Sequence, residues 1–343
     1  MTQSVLLGLL IVVLAAVFQG SFMVPMAYAR GWKWENSWLV FSVLGMVVFN
    51  WLFARMLVPS LGEIFAAATF GDLVVPALSG LLWGIGAVCF GLGMAAVGFA
   101  LGYAFIMGLV LSLGAFIPMV VNHPEEIASA KGLLILLGLA TMIGGIAISG
   151  LAGIRKEREQ GARTGEITKT TNLSMKIGLV ICVFAGIFSC LPNIGFDMSR
   201  GLMSVALEHG APEQWAGNVI WAVLFTFGGL ANLIYCGYLL KKNGTAGAYG
   251  GAGMGRNLGL LALMSAMWIG SFVLYGMGAR MMGAWGTVIG WSVFIALAIA
   301  VGALWGIAQG EWRNTSAATR RLMLGGVAVL VLAIFVFAYS GSL

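Results

Sequence analysis

Long apolar runs separated by short polar stretches set the pattern of this chain. Ten runs stand out, at 4–27, 37–58, 74–94, 99–121, 132–153, 177–206, 218–240, 258–279, 284–307 and 322–341. Each is near or above the roughly 20 residues that a helix needs to cross the hydrocarbon core of a bilayer. The runs are continuous, whereas barrel strands would show shorter alternating segments. They predict an all-α integral membrane protein with ten transmembrane helices.

The polar stretches carry a second pattern. With loops numbered by the helix they follow, the odd loops hold 14 of the 18 basic residues, from Arg30 and Lys33 in the first to Arg313, Arg320 and Arg321 in the ninth. The other side has only Arg55, Lys131, Arg200 and Arg280. Basic loop residues stay in the cytoplasm. The odd loops are therefore expected there, with both termini outside. Ala27-Tyr28-Ala29 has the form of a signal-peptidase site. No basic n-region precedes it and the apolar run is too long, so the first segment is expected to remain as a span. The longest loop, 154–176, contains Arg155, Lys156, Arg158, Arg163, Lys169 and Lys176 and reads as a solvated cytoplasmic linker. It separates a first unit, 1–153, from a second, 177–343. The Gly-rich stretch 243–255 lacks the phosphate-loop pattern and reads as a flexible linker.

Composition supports a lipid solvent. Hydrophobic residues make up 60% of the chain and charged residues 9%, against about 25% charged in a soluble domain. The net charge of +6 reflects loop anchors and does not point to nucleic acid. Cys89, Cys182, Cys190 and Cys236 lie inside apolar runs without metal spacing and read as packing residues. His123 and His209 fall in exterior loops. No paired carboxylates or nucleophile–base sets occur in the spans, so neither an enzyme, a metal nor a cofactor is expected. The partner expected on composition is the lipid bilayer, with the chain a monomer or weak homodimer.

Two sequence repeats bear on mechanism. Trp83 through Gly98 and Trp268 through Gly283 share a frame: Trp, six residues, an aromatic, Gly-x-Gly, four residues, Gly. Gly8–Phe18 also aligns with Gly178–Phe188, with six of eleven positions identical. The first helix thus matches the sixth and the third matches the eighth. Five helices per half place the second half upside down relative to the first. Inverted five-helix repeats predict a carrier with a midplane site that opens alternately to each side.

Several runs resemble the L-rhamnose–proton symporter family of the drug/metabolite transporter superfamily. They are Ser21-Phe22 with Pro25; Trp32, Trp34-Glu35 and Trp38; Trp83-Gly84-Ile85-Gly86 with Gly91-Leu92, Met94 and Gly98; Gly186-Ile187-Phe188-Ser189; Gly228-Gly229 with Asn232; Trp268 with Tyr275; and Glu311-Trp312. The resemblance implies proton-coupled transport of a small neutral sugar. Where the family carries amides, this chain has Ala87, Cys89 and Ser271. That departure leaves a less polar or cationic cargo as the alternative.

Polar residues deep in spans are functional candidates. Gln19, Tyr103, Asn193, Asn232, Ser271 and Tyr275 are candidates for solute contact, with Asn50 as a further polar position. Trp83 and Trp268, equivalent in the repeat, are candidates for stacking on it. Gly91, Gly93, Gly276 and Gly278 read as close helix contacts. Pro192-Asn193-Ile194-Gly195 predicts a broken sixth helix, because proline removes a backbone donor. Asp197 is the one carboxylate with a claim to lie inside a span. It is the candidate for proton coupling, or else pairs with Arg200 three residues on at the interface. Glu35, Glu63 and Asp72 read as loop residues.

Overall fold

Continuous apolar sequence leaves the backbone one way to satisfy its polar groups in lipid, which is to bond within the segment as helix. The computed structural model describes residues 3–164, 173–251 and 253–341, and no strand occurs among them. Ten helical segments are long and apolar enough to cross a membrane. They are α1 (Gln3–Tyr28), α2 (Trp34–Leu57), α3 (Phe70–Val97), α4 (Phe99–Asn122), α5 (Ala130–Gly161), α6 (Met175–Met198), α7 (Asn218–Asn243), α8 (Met254–Met281), α9 (Gly283–Ala308) and α10 (Ala317–Ser340). Each corresponds to one apolar run.

The differences from the sequence reading lie at the ends. The helix of α5 continues through Thr164, so the first part of the expected linker is helical. Its side chains are anchored. Lys156 pairs with Glu311 at 2.6 Å, and Glu159 accepts from the Ser316 amide at 2.6 Å and the Thr319 hydroxyl at 2.6 Å. Lys169 and the rest of 165–172 lie outside the described residues, as does the side chain of Arg163. Asp72 is helical rather than a loop residue. It closes a reciprocal cap with Thr69 at the start of α3. Glu35 is likewise helical and buried in the first turn of α2. The sixth run does not continue to 206. It ends at Met198, and Ser199 turns the chain into a separate short helix, Arg200–Glu208.

The helices matched in sequence pack on one another. α1 lies along α8 and α6 lies along α3, which are the same pairing written in the two halves. The contacts match in detail. A Cβ on Gly278 would stand 2.8 Å from Val12 Cγ2, and one on Gly93 would stand 2.7 Å from Cys182 Sγ. Val12 and Cys182 are equivalent positions, as are Gly93 and Gly278. The last glycines of the frame also match. Gly98 directly follows α3 and Gly283 follows α8 after one residue, and they take positive φ of 97° and 73°. A side chain is strained in that conformation.

α3 and α7 touch backbone to backbone. A Cβ on Gly80 would stand 1.8 Å from the Leu224 carbonyl oxygen, and one on Gly84 would stand 2.2 Å from that of Gly228. Gly91 differs from expectation, with nothing within 4 Å of its Cβ position. α5 and α10 pack on each other beside the other eight helices. Exposed apolar residues such as Leu10, Val180, Ile234 and Phe335 give the outer surface its lipid-facing character. All four cysteines are free, and all but Cys89 are buried.

Candidate functional site

The centre of the molecule is aromatic. Trp83 and Trp268 lie face to face across the two halves, with ring centroids 5.9 Å apart and planes 19° from parallel. Phe225 of α7 packs on both, at 5.2 and 4.6 Å. Phe41 and Phe272 pack against Trp268 at 5.3 and 5.4 Å. Trp268 is buried and Trp83 half-buried.

Polar groups climb α8 from this box, one turn at a time. The Ser271 hydroxyl lies 2.7 Å from Gln19 Oε1 of α1 and 2.6 Å from the Trp268 carbonyl oxygen. One turn on, the Tyr275 hydroxyl donates to Asn193 Oδ1. Asn193 Nδ2 faces two carbonyl oxygens, Gly114 of α4 at 2.7 Å and Thr287 of α9 at 2.9 Å. Asn193 and Tyr275 are fully buried.

The break in α6 sets this geometry. The helix stops at Ser189 and resumes at Leu191, so the break falls at Cys190, two residues before the Pro-Asn-Ile-Gly run. Pro192 falls in the first turn of the new segment, where its missing donor costs nothing. The segment then carries Asn193 and Asp197 one turn apart on one face.

Asp197 is half-buried. It accepts from Asn122 Nδ2 at 2.7 Å and from Thr287 Oγ1 at 2.7 Å. Arg200 does not pair with it directly. Its guanidinium donates to Asn122 Oδ1 instead, so an amide stands between the carboxylate and the cation. Among the described residues Asp197 has no ion pair.

A cavity of about 640 Å³ opens beside this network. Asn122, Phe196, Asp197, Arg200, Arg280 and Thr287 line it. Arg280 pairs with Glu213 at 3.2 Å on its wall. His123, another lining residue, stacks on Trp285 at 3.9 Å, and its donor atoms lie within 4.8 Å of those of Glu125 and Glu126.

The opposite face is closed by polar contacts between the segments on either side of α1–α2 and α7–α8. Glu35 accepts from Asn243 at 3.0 Å and Thr245 at 2.8 Å. Asn36 Nδ2 donates to the Thr245 carbonyl at 2.9 Å, and the Tyr249 hydroxyl donates to the Asn36 carbonyl at 3.1 Å. Trp32 Nε1 donates to the Ala248 carbonyl at 3.2 Å, and Asn257 exchanges two bonds with the Arg30 backbone. The Gly-rich linker is therefore docked here along Thr245–Ala248 and Tyr249.

The remaining candidates serve other contacts. Asn232 accepts from Trp38 Nε1 at 2.9 Å and donates to the Gly228 carbonyl at 3.0 Å. Asn50 Nδ2 lies against the Trp221 carbonyl at 2.9 Å and ties α2, π-helical over Ser42–Phe49, to α7. Tyr103 is not drawn into the centre. It packs between Phe90 and Phe99, at 6.1 and 6.0 Å. Sequence reasoning missed Asn122 and Thr287, which sit at span ends, and Trp221 and Phe196, which look like any other apolar-run aromatics.

Ten spans around a polar and aromatic centre, reached by a cavity at one face and sealed at the other, define a multi-pass membrane carrier. The family model for "L-rhamnose-proton symport protein (RhaT)" matches residues 1–340. The chain belongs to that family. Similar relatives include the L-rhamnose-proton symporter of Cronobacter sakazakii, 26% identical over 344 residues. Those of Shigella sonnei and Escherichia coli are 24% and 25% identical. Each of these alignments covers 97% of both chains.

Proposed function

We propose that the protein moves a small neutral solute, a sugar such as L-rhamnose or a related compound, across the inner membrane by alternating access and in step with a proton. The two five-helix units, 1–153 and 177–343, are read as inverted repeats that rock about the central site. The odd loops face the cytoplasm, and both termini face the periplasm.

The carrying observation is the continuous network Arg200–Asn122–Asp197–Thr287–Asn193–Tyr275, which runs from the cavity to the buried Tyr275 beside the Phe196 and Trp221 rings. Asp197 is held by neutral donors only, so taking up a proton breaks no ion pair. Its carboxylate bonds to α4 and α9 require an acceptor at both oxygens. Protonation at the oxygen facing Asn122 sets an O–H against an amide N–H and loosens that contact, whereas the Thr287 hydroxyl can turn to accept. Because Asp197 sits on the broken segment, its charge state biases the position of Asn193.

Asp197→Asn tests this reading. Counterflow of labelled solute at equal pH is expected to persist, while accumulation against a gradient driven by pH is lost. Gradient-driven accumulation equal to that of the unaltered protein would remove Asp197 from coupling.

A second reading, carriage of a less polar or cationic metabolite, draws support from the internal pairing of Gln19, Asn193 and Asn232. A thermal-shift panel separates the two readings, since a ligand of the folded state raises Tm. Shifts with 6-deoxy sugars support the first reading, and shifts only with apolar or cationic compounds support the second.

A further inference from the structure

Trp221 of α7 is about 1% exposed, and its Nε1 has no hydrogen-bond partner among the described residues. Trp32, Trp38, Trp51, Trp291 and Trp305 each donate through Nε1 to a protein oxygen. An indole N–H is a donor only, and a ring locked by its neighbours cannot turn to find an acceptor. Phe196 and Phe225 lie nearly parallel to Trp221, at 4.5 and 5.3 Å, and Phe272 meets it edge-on at 5.4 Å. A buried donor without a partner is a costly arrangement that native proteins largely avoid.

The N–H edge faces α8 at Gly276. A Cβ built on Gly276 would lie 3.0 Å from Trp221 Nε1 and 3.4 Å from Phe196 Cε2. The bare backbone of Gly276 therefore packs closely against the one atom of Trp221 that needs an acceptor, and the gap is too tight for a methyl group. Phe196 stacks on the Trp221 ring and also lines the cavity. It precedes Asp197 on the broken segment of α6.

We propose that Trp221 Nε1 donates a hydrogen bond to an oxygen of the transported solute, which reaches it when Phe196 moves aside with the Leu191–Met198 segment. This inference rests on the reading of the protein as a carrier of a hydroxylated solute. It supplies a donor that the paired amides of Gln19, Asn193 and Asn232 withhold.

The test measures L-rhamnose binding to purified full-length protein, together with Tm in the absence of ligand. Trp221→Phe keeps the stacking and deletes the donor. Its affinity is expected to fall roughly five- to tenfold, while its ligand-free Tm stays level or rises because the unpaired N–H is gone. Gly276→Ala leaves Trp221 intact but sets a methyl group 3.0 Å from Nε1 and crowds the donor, and it is expected to weaken binding by a similar factor. If Trp221→Phe does not fold, Gly276→Ala decides. Unaltered affinity in the folded variants, with the parent protein binding, overturns the assignment and leaves the carrier reading standing. If the parent binds neither L-rhamnose nor a panel of hexoses and polyols, the sugar reading fails and this assignment fails with it.

Discussion

Asn193 shows how one side chain can hold several helices. Its amide nitrogen faces carbonyls of α4 and α9, and its oxygen takes the Tyr275 proton from α8. Tyr275→Phe removes one oxygen and keeps the ring packing on Trp291 and Phe294, at 5.6 and 5.0 Å. The Asn193 oxygen is then buried and unpaired, which costs roughly 1–3 kcal/mol. The variant is expected to melt a few degrees lower, and a Tm equal to the parent's would show that this bond contributes nothing to the fold. Asn193 and Tyr275 were legible as candidates because polar groups in apolar runs stand out. Their pairing was not, since 82 residues separate them. Asn122 and Thr287 were hidden because amides and hydroxyls are ordinary at span ends. Phe196, Trp221 and Phe225 were hidden because an aromatic in such a run reads the same whether it faces lipid, packing or a ligand. Glu35 misled in the opposite direction. Its charge suggested a loop, whereas two donors from across the closed face let it sit buried.

At the scale of elements, the apolar runs gave the ten spans and their order, because length and hydropathy decide what can cross a bilayer. Which glycines bring helices together depends on the partner's position, and that was partly illegible. Gly93 and Gly278 make the close contacts their motif suggested, whereas Gly91 meets nothing. Gly80 and Gly84, four residues apart on one face of α3, make the tightest approach to α7. Gly91 lies two turns further along nearly the same face, so that contact ends between them. Gly80→Ala puts a methyl group 1.8 Å from a backbone oxygen that cannot rotate away. α3 and α7 must then separate. A loss of several kcal/mol is expected, of the order seen for overpacked cores or above, with a poor yield of monodisperse protein. Gly91→Ala is expected to be neutral or slightly stabilising, since alanine favours helix over glycine by about 1 kcal/mol. Equal Tm and yield for the two variants would contradict the α3–α7 packing.

Over the whole molecule, the two faces differ in a way that defines one step of a transport cycle. The face bearing Asn122, Asp197 and Glu213 is open, and the face bearing Trp32–Asn36 and Asn243–Asn257 is latched. The latch joins the loop after α1 and the first turn of α2 to the end of α7 and the loop after it. Opening this face breaks those bonds, so their strength helps set the balance between its closed and open states. Trp32→Phe and Tyr249→Phe each delete one donor to a backbone carbonyl and leave the ring in place. A neutral hydrogen bond contributes about 1 kcal/mol, so the double variant should shift the equilibrium roughly tenfold or more toward opening on the latched side. Ser265 reports on this, being fully buried on α8 against Gly45 of α2. With the four native cysteines replaced, Ser265→Cys is expected to react slowly with an impermeant maleimide applied to the latched face. In the latch variant it is expected to react severalfold faster, and saturating solute should change both rates. The same rate with and without the latch mutations would mean that these bonds do not gate access, and the energy holding this face closed would then lie in the Trp83–Trp268 box beneath it.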